Sequence, residues 1–288
     1  MERKDNAMIQ DIFPHKWSNT YRNAQPQQDS GILFFKDGKV LVVHPEGEKH
    51  KIVFPEYRAV RTYCKELIYL FSLDERMYFR CSSQQEELAE MLSGTWENRN
   101  YFRKAQPKEL AFVGITAMHL DGWYRKSIFC GSCGEQLVHD SKERMMRCLS
   151  CGNMIFPRIN PAVIVGVCKG NKILLTKYRG REYKNYALVA GFNEIGESFE
   201  QTVEREVMEE TGISVKNIHY YKSQPWGFAD NILAGYFCEA DGETEIKMDD
   251  EELSVAEWVS AEDIPEDMEV LSLTNEMIQK FRVDNLRK

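Results

Sequence analysis

A chain of 288 residues with 43 % hydrophobic content is long enough for two domains and supports a sizeable core. Its net charge of −8, from 45 acidic against 37 basic side chains, argues against a protein that grips nucleic acid through a bulk positive field. A nucleotide substrate stays open, because metal ions can supply positive charge locally. The polar start Met1-Glu2-Arg3-Lys4-Asp5 lacks the apolar core of a signal peptide, and no apolar run approaches the roughly 20 residues of a membrane helix. Eight cysteines that include two close pairs read as metal binding in a reducing compartment rather than a disulfide framework. A cytoplasmic protein without membrane attachment is expected.

Residues 1–30 are polar and irregular, with Phe13, Trp17 and Tyr21 expected to pack back on the body. Ile32–Phe35 and Val40–Val43 flank Asp37-Gly38 and predict a hairpin. Glu66–Leu73 and Met77–Cys81 predict a second strand pair, turning near Asp74-Glu75. Residues 84–93 read as a short helix ended by Gly94. Pro107 opens another helix, whose Leu110, Val113, Ala117 and Leu120 form an apolar stripe. Residues 1–125 thus predict a small α+β domain, in which His15, His44, His50 and His119 read as polar residues with local partners rather than metal ligands.

Cys130-Gly131-Ser132-Cys133 and Cys148-Leu149-Ser150-Cys151 are separated by 14 residues. Two such knuckles predict a zinc ribbon over 126–156, with Cys130, Cys133, Cys148 and Cys151 as a closed, structural set for one Zn2+ per chain. His139 lies between them and is not needed as a ligand. Cys64, Cys81, Cys168 and Cys238 read as small core residues.

Residues 157–288 predict the last domain. Ala162–Cys168 and Lys172–Thr176 form a hairpin, Tyr186–Ala190 a strand, and Asn231–Glu239, Glu243–Met248 and Val255–Ser260 further strands; Ser272–Phe281 closes as an amphipathic helix. Between them, Ser198 caps a helix with Gln201 completing a capping box, and Gly212 ends it. Phe199, Val203 and Val207 make its buried stripe. Glu206, Glu209 and Glu210 fall within about a 100° sector beside that stripe. Crowded carboxylates cost a helix a few tenths of a kcal/mol per pair, and their oxygens suit hard cations such as Mg2+ or Mn2+. A solvated acidic face is the competing reading.

The wider spacing decides between them. Gly191, Glu197, Arg205, Glu206, Val207, Glu209, Glu210, Gly212 and Ile213 meet every fixed position of the pattern Gly-x5-Glu-x7-Arg-Glu-aliphatic-x-Glu-Glu-x-Gly-aliphatic, which resembles the signature of the Nudix hydrolases. The resemblance implies a Nudix α/β/α sandwich with a mixed sheet, inside an α+β chain whose ribbon and N-terminal domain precede it. A ribbon directly before this motif looks like the NAD(H) pyrophosphatase branch. So does Ser223-Gln224-Pro225-Trp226-Gly227-Phe228-Ala229-Asp230-Asn231, where that branch carries Ser-Gln-Pro-Trp-Pro-Phe-Pro-x-Ser. The likeness covers roughly residues 105–285. Gly227 and Ala229 replace prolines and Asn231 a serine, which predicts a less preorganised loop. Phe156 stands for a substrate-contacting tyrosine and Thr274 for an alanine near the substrate.

From this follow the expected roles. Glu206 and Glu210 lie one turn apart and ligate metal, with Glu209 a further ligand or the base that orients water. The resemblance alone implies the carbonyl of Ala190 as another ligand. Glu252 is the expected later acidic ligand, with Glu251 the alternative. Arg205 could hold Glu209 by a bidentate pair, with Glu197 closing the network. Gln224 through Asn231, Phe156 and Thr274 are expected against substrate; Trp226 and Phe192 are candidates to sandwich a base, or core packing instead. Arg103 would reach substrate from the N-terminal domain. The expected reaction splits NADH or NAD+ into nicotinamide mononucleotide and AMP, in a homodimer. Alternatives are another dinucleotide, ADP-ribose, the NAD cap of an RNA, or a non-catalytic nucleotide- or RNA-binding module.

Overall fold

The computed structural model describes residues 8–45, 48–82, 87–180, 185–266 and 271–287. These described residues form two compact units, one from the span 9–158 with 227–230, the other from Met8 with the spans 159–226 and 231–287.

In the first unit, β1 (Trp17–Ser18), β2 (Gly31–Lys36), β3 (Lys39–Val43), β4 (Leu67–Leu73), β5 (Arg76–Ser82) and β6 (Gly94–Glu97) make one sheet in the order β1-β4-β5-β2-β3-β6. Both predicted hairpins are present, and β2 lies parallel to β5 between them. Trp17 packs on Phe71 at 4.3 Å between ring centroids and on Phe112 at 4.7 Å, while Phe13 is 95 % exposed and does not pack back as expected. Helices α1 (Tyr57–Val60) and α2 (Glu87–Met91) are short. The helix expected over 84–93 covers only α2; 84–86 lie outside the described residues, and Gly94 opens β6 instead of capping. Helix α3 (Lys108–Lys126) follows Pro107, and its stripe residues Val113, Ala117 and Leu120 are buried.

The ribbon strands β7 (Leu137–His139), β8 (Met146–Cys148) and β9 (Met154–Ile155) form a small antiparallel sheet. His139 serves as an anchor: Nε2 pairs with the Tyr124 hydroxyl at 3.0 Å and Nδ1 with that of Tyr21 at 3.4 Å. His15, His44 and His119 likewise have local partners, in Asp74, Thr95 and the Arg158 carbonyl.

The second unit is an α/β/α sandwich. Strands β10 (Asn160–Lys169), β11 (Lys172–Tyr178), β12 (Val189–Phe192), β13 (Ser214–Trp226), β14 (Asn231–Asp241) and β15 (Leu253–Ser260) build a mixed sheet ordered β13-β14-β10-β11-β15, with β12 also paired to β10. Strand β10 runs parallel to β14 and antiparallel to β11 and β12. Its alternation divides the core, as a period-2 strand must. Ala162 and Ile164 face Leu273, Met277, Ile278 and Phe281 of α5 (Leu273–Leu286). Val163, Val165 and Val167 face Val203 and Val207 of α4 (Phe199–Thr211).

Three expectations change. Residues 223–226 do not belong to a loop but end the 13-residue strand β13, whose register shifts between Lys216 and His219 and between Tyr220 and Lys222 break the alternation that would have marked it. Glu243–Met248 is not a strand: the Lys247 N–H donates to the Thr211 carbonyl at 2.8 Å, so its backbone serves the C-terminus of α4 rather than a ladder. The strand expected over Tyr186–Ala190 starts at Val189, with Ala187 making only a single bridge to Thr176.

Candidate active site

Helix α4 is fixed at both ends by what its own sequence supplies. The Ser198 side chain accepts from the Gln201 N–H, the Gln201 side chain accepts from the Ser198 N–H at 2.8 Å, and Gly212 closes the helix in the left-handed region at φ 70°. With Val203 and Val207 locked in the core, Glu206 and Glu210 are carried to one flank.

On that flank Glu206, Glu209, Glu210, Asp249 and Glu252 line a cavity of about 300 Å³. Glu210 is 2 % exposed, and its Oε2 has no hydrogen-bond partner among the described residues. The Tyr178 hydroxyl lies 3.3 Å from Glu210 Oε1, and 3.4 Å from the carbonyls of both Ala190 and Leu188. One hydroxyl proton cannot serve three acceptors at once. Burial, then the neighbouring charges of Glu206 and Glu252, push the Glu210 carboxyl up to about 8. Burial also raises Glu206, against the opposing pull of Arg205. An oxygen-rich, like-charged cavity with an orphaned buried carboxylate oxygen fits a hard divalent cation, which would satisfy that oxygen and offset the repulsion.

Gly191 makes the approach possible. A Cβ there would fall 1.8 Å from the carboxyl carbon of Glu206. The substitution Gly191→Ala is therefore expected to expel the Glu206 side chain and weaken Mn2+ binding by at least about tenfold, read by Mn2+ titration of the folded protein. Unchanged affinity would contradict the close packing.

Arg205 joins the network differently from expectation. Its fork is bidentate to Glu197, Nε donating to Oε1 at 2.7 Å and Nη2 to Oε2 at 3.0 Å. Nη1 reaches both Glu206 (2.7 Å) and Glu209 (3.0 Å), and Nη2 also donates to the Phe192 carbonyl at 2.9 Å. Glu197 is the better bidentate partner because it also accepts from the Thr202 hydroxyl and is fixed in place, whereas Glu209 is largely exposed. The Arg205 hydrogen bonds, helped by Thr202, pull the Glu197 carboxyl down to about 2.

Among the expected substrate residues of this unit, Phe192 is 55 % exposed at the end of β12, and Thr274 is half-buried in the first turn of α5. Pro225 is exposed, while Trp226 is half-buried against the α5-side core. Gln224 is wholly buried: its amide donates to the Leu271 carbonyl at 3.2 Å and its Oε1 accepts from the Leu273 N–H at 2.7 Å, so it pins the start of α5. Asn231 is buried at the start of β14. Glu252 lines the cavity, and Glu251 instead turns its N–H onto Asp249 Oδ1 at 2.8 Å. Sequence reading missed Tyr178 and Asp249; for Asp249 the only local signal was the acidic run Asp249-Asp250-Glu251-Glu252.

The remaining expected residues, Phe156, Gly227, Phe228, Ala229, Asp230 and Arg103, belong to the first unit. There Phe156 is 52 % exposed just after β9, and the Arg103 guanidinium lies 4.5 Å over the Phe228 ring. The four ribbon sulfurs lie within 4.8 Å of one another, with Cys130–Cys151 at 3.6 Å and Cys133–Cys148 at 3.5 Å. A tetrahedron of Zn–S bonds of about 2.3 Å has edges of about 3.8 Å, so the thiols fit the ion. Gly134 (φ 79°) and Gly152 (φ 76°) turn the two knuckles. The Ser132 N–H, then the Asn153 side chain, hold the Cys130 thiol down to about 6.

Comparison with known proteins gives two matches along the chain: a NUDIX domain over residues 158–281 and an NADH pyrophosphatase zinc ribbon domain over residues 125–156. The four-cysteine cluster is thus a structural zinc site, and the acidic cavity lies in a domain of divalent-metal enzymes. Among curated proteins, an NAD-capped RNA hydrolase NudC of Haemophilus influenzae strain PittEE is 40 % identical over 157 residues, covering 54 % of this chain and 59 % of its own. Proteins of the same name from Vibrio atlanticus (39 %, covering 63 % of this chain and 67 % of its own) and Haemophilus influenzae strain PittGG (33 %, 61 % and 74 %) match more of their length. The chain thus spans 59 % of the length of the first of these relatives. A solved NUDIX hydrolase from Nitrosomonas europaea aligns with a TM-score of 0.48 at 18 % identity, over 55 % of this chain and 92 % of its own.

Proposed function

The chain belongs to the Nudix family, in its NADH pyrophosphatase branch, and from that premise we propose that it hydrolyses the pyrophosphate bond of NADH or NAD+ to nicotinamide mononucleotide and AMP. The observation that carries this reading is the cavity of five carboxylates built around the buried Glu210, whose Oε2 has no hydrogen-bond partner among the described residues. Glu206, Glu210 and Glu252, with the Ala190 carbonyl, would hold Mg2+ or Mn2+. When bound, such ions neutralise the diphosphate and make water a nucleophile near neutral pH. Glu209, exposed and tethered to Arg205, accepts a proton from the attacking water. A new P–O bond forms as the anhydride P–O bond breaks, and the departing phosphate keeps the electron pair. Arg205, anchored on Glu197, holds Glu206 and Glu209 in register through the cycle.

Phe192 presents an exposed ring to a base, while Phe156, Phe228 and Arg103 are proposed as substrate contacts of the first unit. Residues 1–125, 126–156 and 157–288 are proposed as N-terminal domain, ribbon and catalytic domain. A cytoplasmic homodimer is proposed from the branch, and the paired cysteines that suit zinc rather than disulfides support the reducing compartment.

The relatives' name, NAD-capped RNA hydrolase, favours one further substrate: the NAD cap of an RNA 5′ end, whose cleavage would leave a 5′-monophosphate. Incubation of the purified protein with Mn2+ and, in parallel, NADH, NAD+, ADP-ribose and NAD-capped RNA tests both. Release of the mononucleotide is expected from NADH, in its reduced form because hydrolysis leaves the ring's oxidation state unchanged, and from the capped RNA. Its absence from both would remove the proposal.

A further inference from the structure

The turn Gly227–Asp230 connects β13 to β14, yet it clusters with residues 9–158. Its sequence, Gly-Phe-Ala-Asp, carries no proline to restrict it, and an unrestrained turn of this composition samples many conformations. The structure restrains it from outside. Arg99 Nη1 lies 2.7 Å from Asp230 Oδ1 and donates to the Phe228 carbonyl at 3.5 Å. His119 Nε2 stands 3.7 Å and Lys126 Nζ 3.9 Å from the same carboxylate. Arg103 covers the Phe228 ring, and at Gly227 a Cβ would meet the Ile115 carbonyl oxygen at 2.9 Å. Asp230 sits at φ 59°, a conformation that Asp tolerates better than most residues. These restraints come from α3 and from the 3₁₀ turn Arg99–Arg103.

We propose that Arg99 is a positioning residue: through its ion pair with Asp230 it holds the Gly227–Asp230 turn in the one conformation that presents Phe228 to the dinucleotide. The N-terminal domain thereby supplies the preorganisation that prolines at 227 and 229 would otherwise provide. This rests on the dinucleotide reading above, and binding cost rather than chemistry is where a loosened turn tells.

The test compares wild type, Arg99→Ala, Arg99→Lys, Asp230→Asn and the Arg99→Ala/Asp230→Asn double variant in NADH kinetics and amide hydrogen exchange. Arg99→Ala is expected to raise KM about tenfold with kcat within about twofold, Arg99→Lys to recover part of that loss, and the double variant to match the worse single variant. Exchange at residues 227–230 is expected to accelerate in Arg99→Ala while β13 and β14 stay protected. Unchanged KM, a fall in kcat at constant KM, or additive single effects would overturn the assignment. If wild type does not cleave NADH, the substrate reading fails; the clamp is then judged by exchange alone, and an unchanged rate at 227–230 sinks it.

Discussion

Glu210→Gln is expected to lower turnover by about a thousandfold or more while the circular dichroism spectrum stays that of the wild type. If Glu210 ligates the cation as proposed, losing its charge removes several kcal/mol of transition-state stabilisation, and each 1.36 kcal/mol is tenfold in rate. The fold should tolerate the change, because glutamine nearly matches the shape of the side chain and brings no charge into a buried position. Without divalent cations the variant should be the more stable protein. In the unfolded chain Glu210 ionises near its ordinary value of 4.5; in the fold burial and the facing carboxylates hold the proton up to about 8. The unfolded state therefore binds fewer protons between those values, and stability falls as pH rises through that window. The loss is on the order of a few kcal/mol at most, given solvent relaxation. Thermal melts at pH 5 and pH 8.5, without added Mg2+ and without chelator so that zinc stays in place, should show a decline in wild type that Glu210→Gln flattens. Adding Mg2+ at pH 8.5 should raise the wild-type Tm and leave the variant unmoved. Parallel pH curves, or full turnover by the variant, would remove Glu210 from the metal site.

Cys148→Ser is expected to strip the zinc and unfold the ribbon. The ribbon's own core consists of Cys130, Leu137 and Cys148, with Met146 and Ile155 packed against it. So few apolar contacts cannot offset the ordering of residues 126–156, and the metal must supply the difference. Structural zinc contributes an apparent ~10–16 kcal/mol at neutral pH, and losing one of four thiolates forfeits much of it. Metal analysis should fall from one zinc per chain to a small fraction, with new proteolytic cuts confined to the ribbon. The half-buried Cys64, which lies outside the cluster, gives the control: Cys64→Ser should keep its zinc. Retention of one equivalent by Cys148→Ser would refute the four-thiolate set. The His139 contacts with Tyr21 and Tyr124 would still tether the loosened ribbon, so cleavage rather than release of a fragment is the readout.

By itself the sequence determined whatever depends on neighbours within a few residues. The caps of α4, its Val203–Val207 stripe and the flank carrying Glu206 and Glu210 follow from a period of 3.6 and from Ser198, Gln201 and Gly212. The knuckle spacing likewise announced the zinc site, because four sulfurs on two tight turns can converge on one ion. What only the tertiary structure decided are the partners chosen across distance. Arg205 had three carboxylates within reach along the chain, and packing of the Gly191–Ser198 segment against α4 awarded its fork to Glu197. Glu252 and Asp249 enter the cavity because β15 pairs with β11, which no helical or strand period encodes. Gln224 looked like a ligand of a loop and became a buried pin for α5, since β13 continues through its bulges to Trp226. The physical reason is common to all three. Local patterns set by backbone geometry are written in adjacent residues, whereas charge pairing and burial depend on which remote backbone arrives beside them.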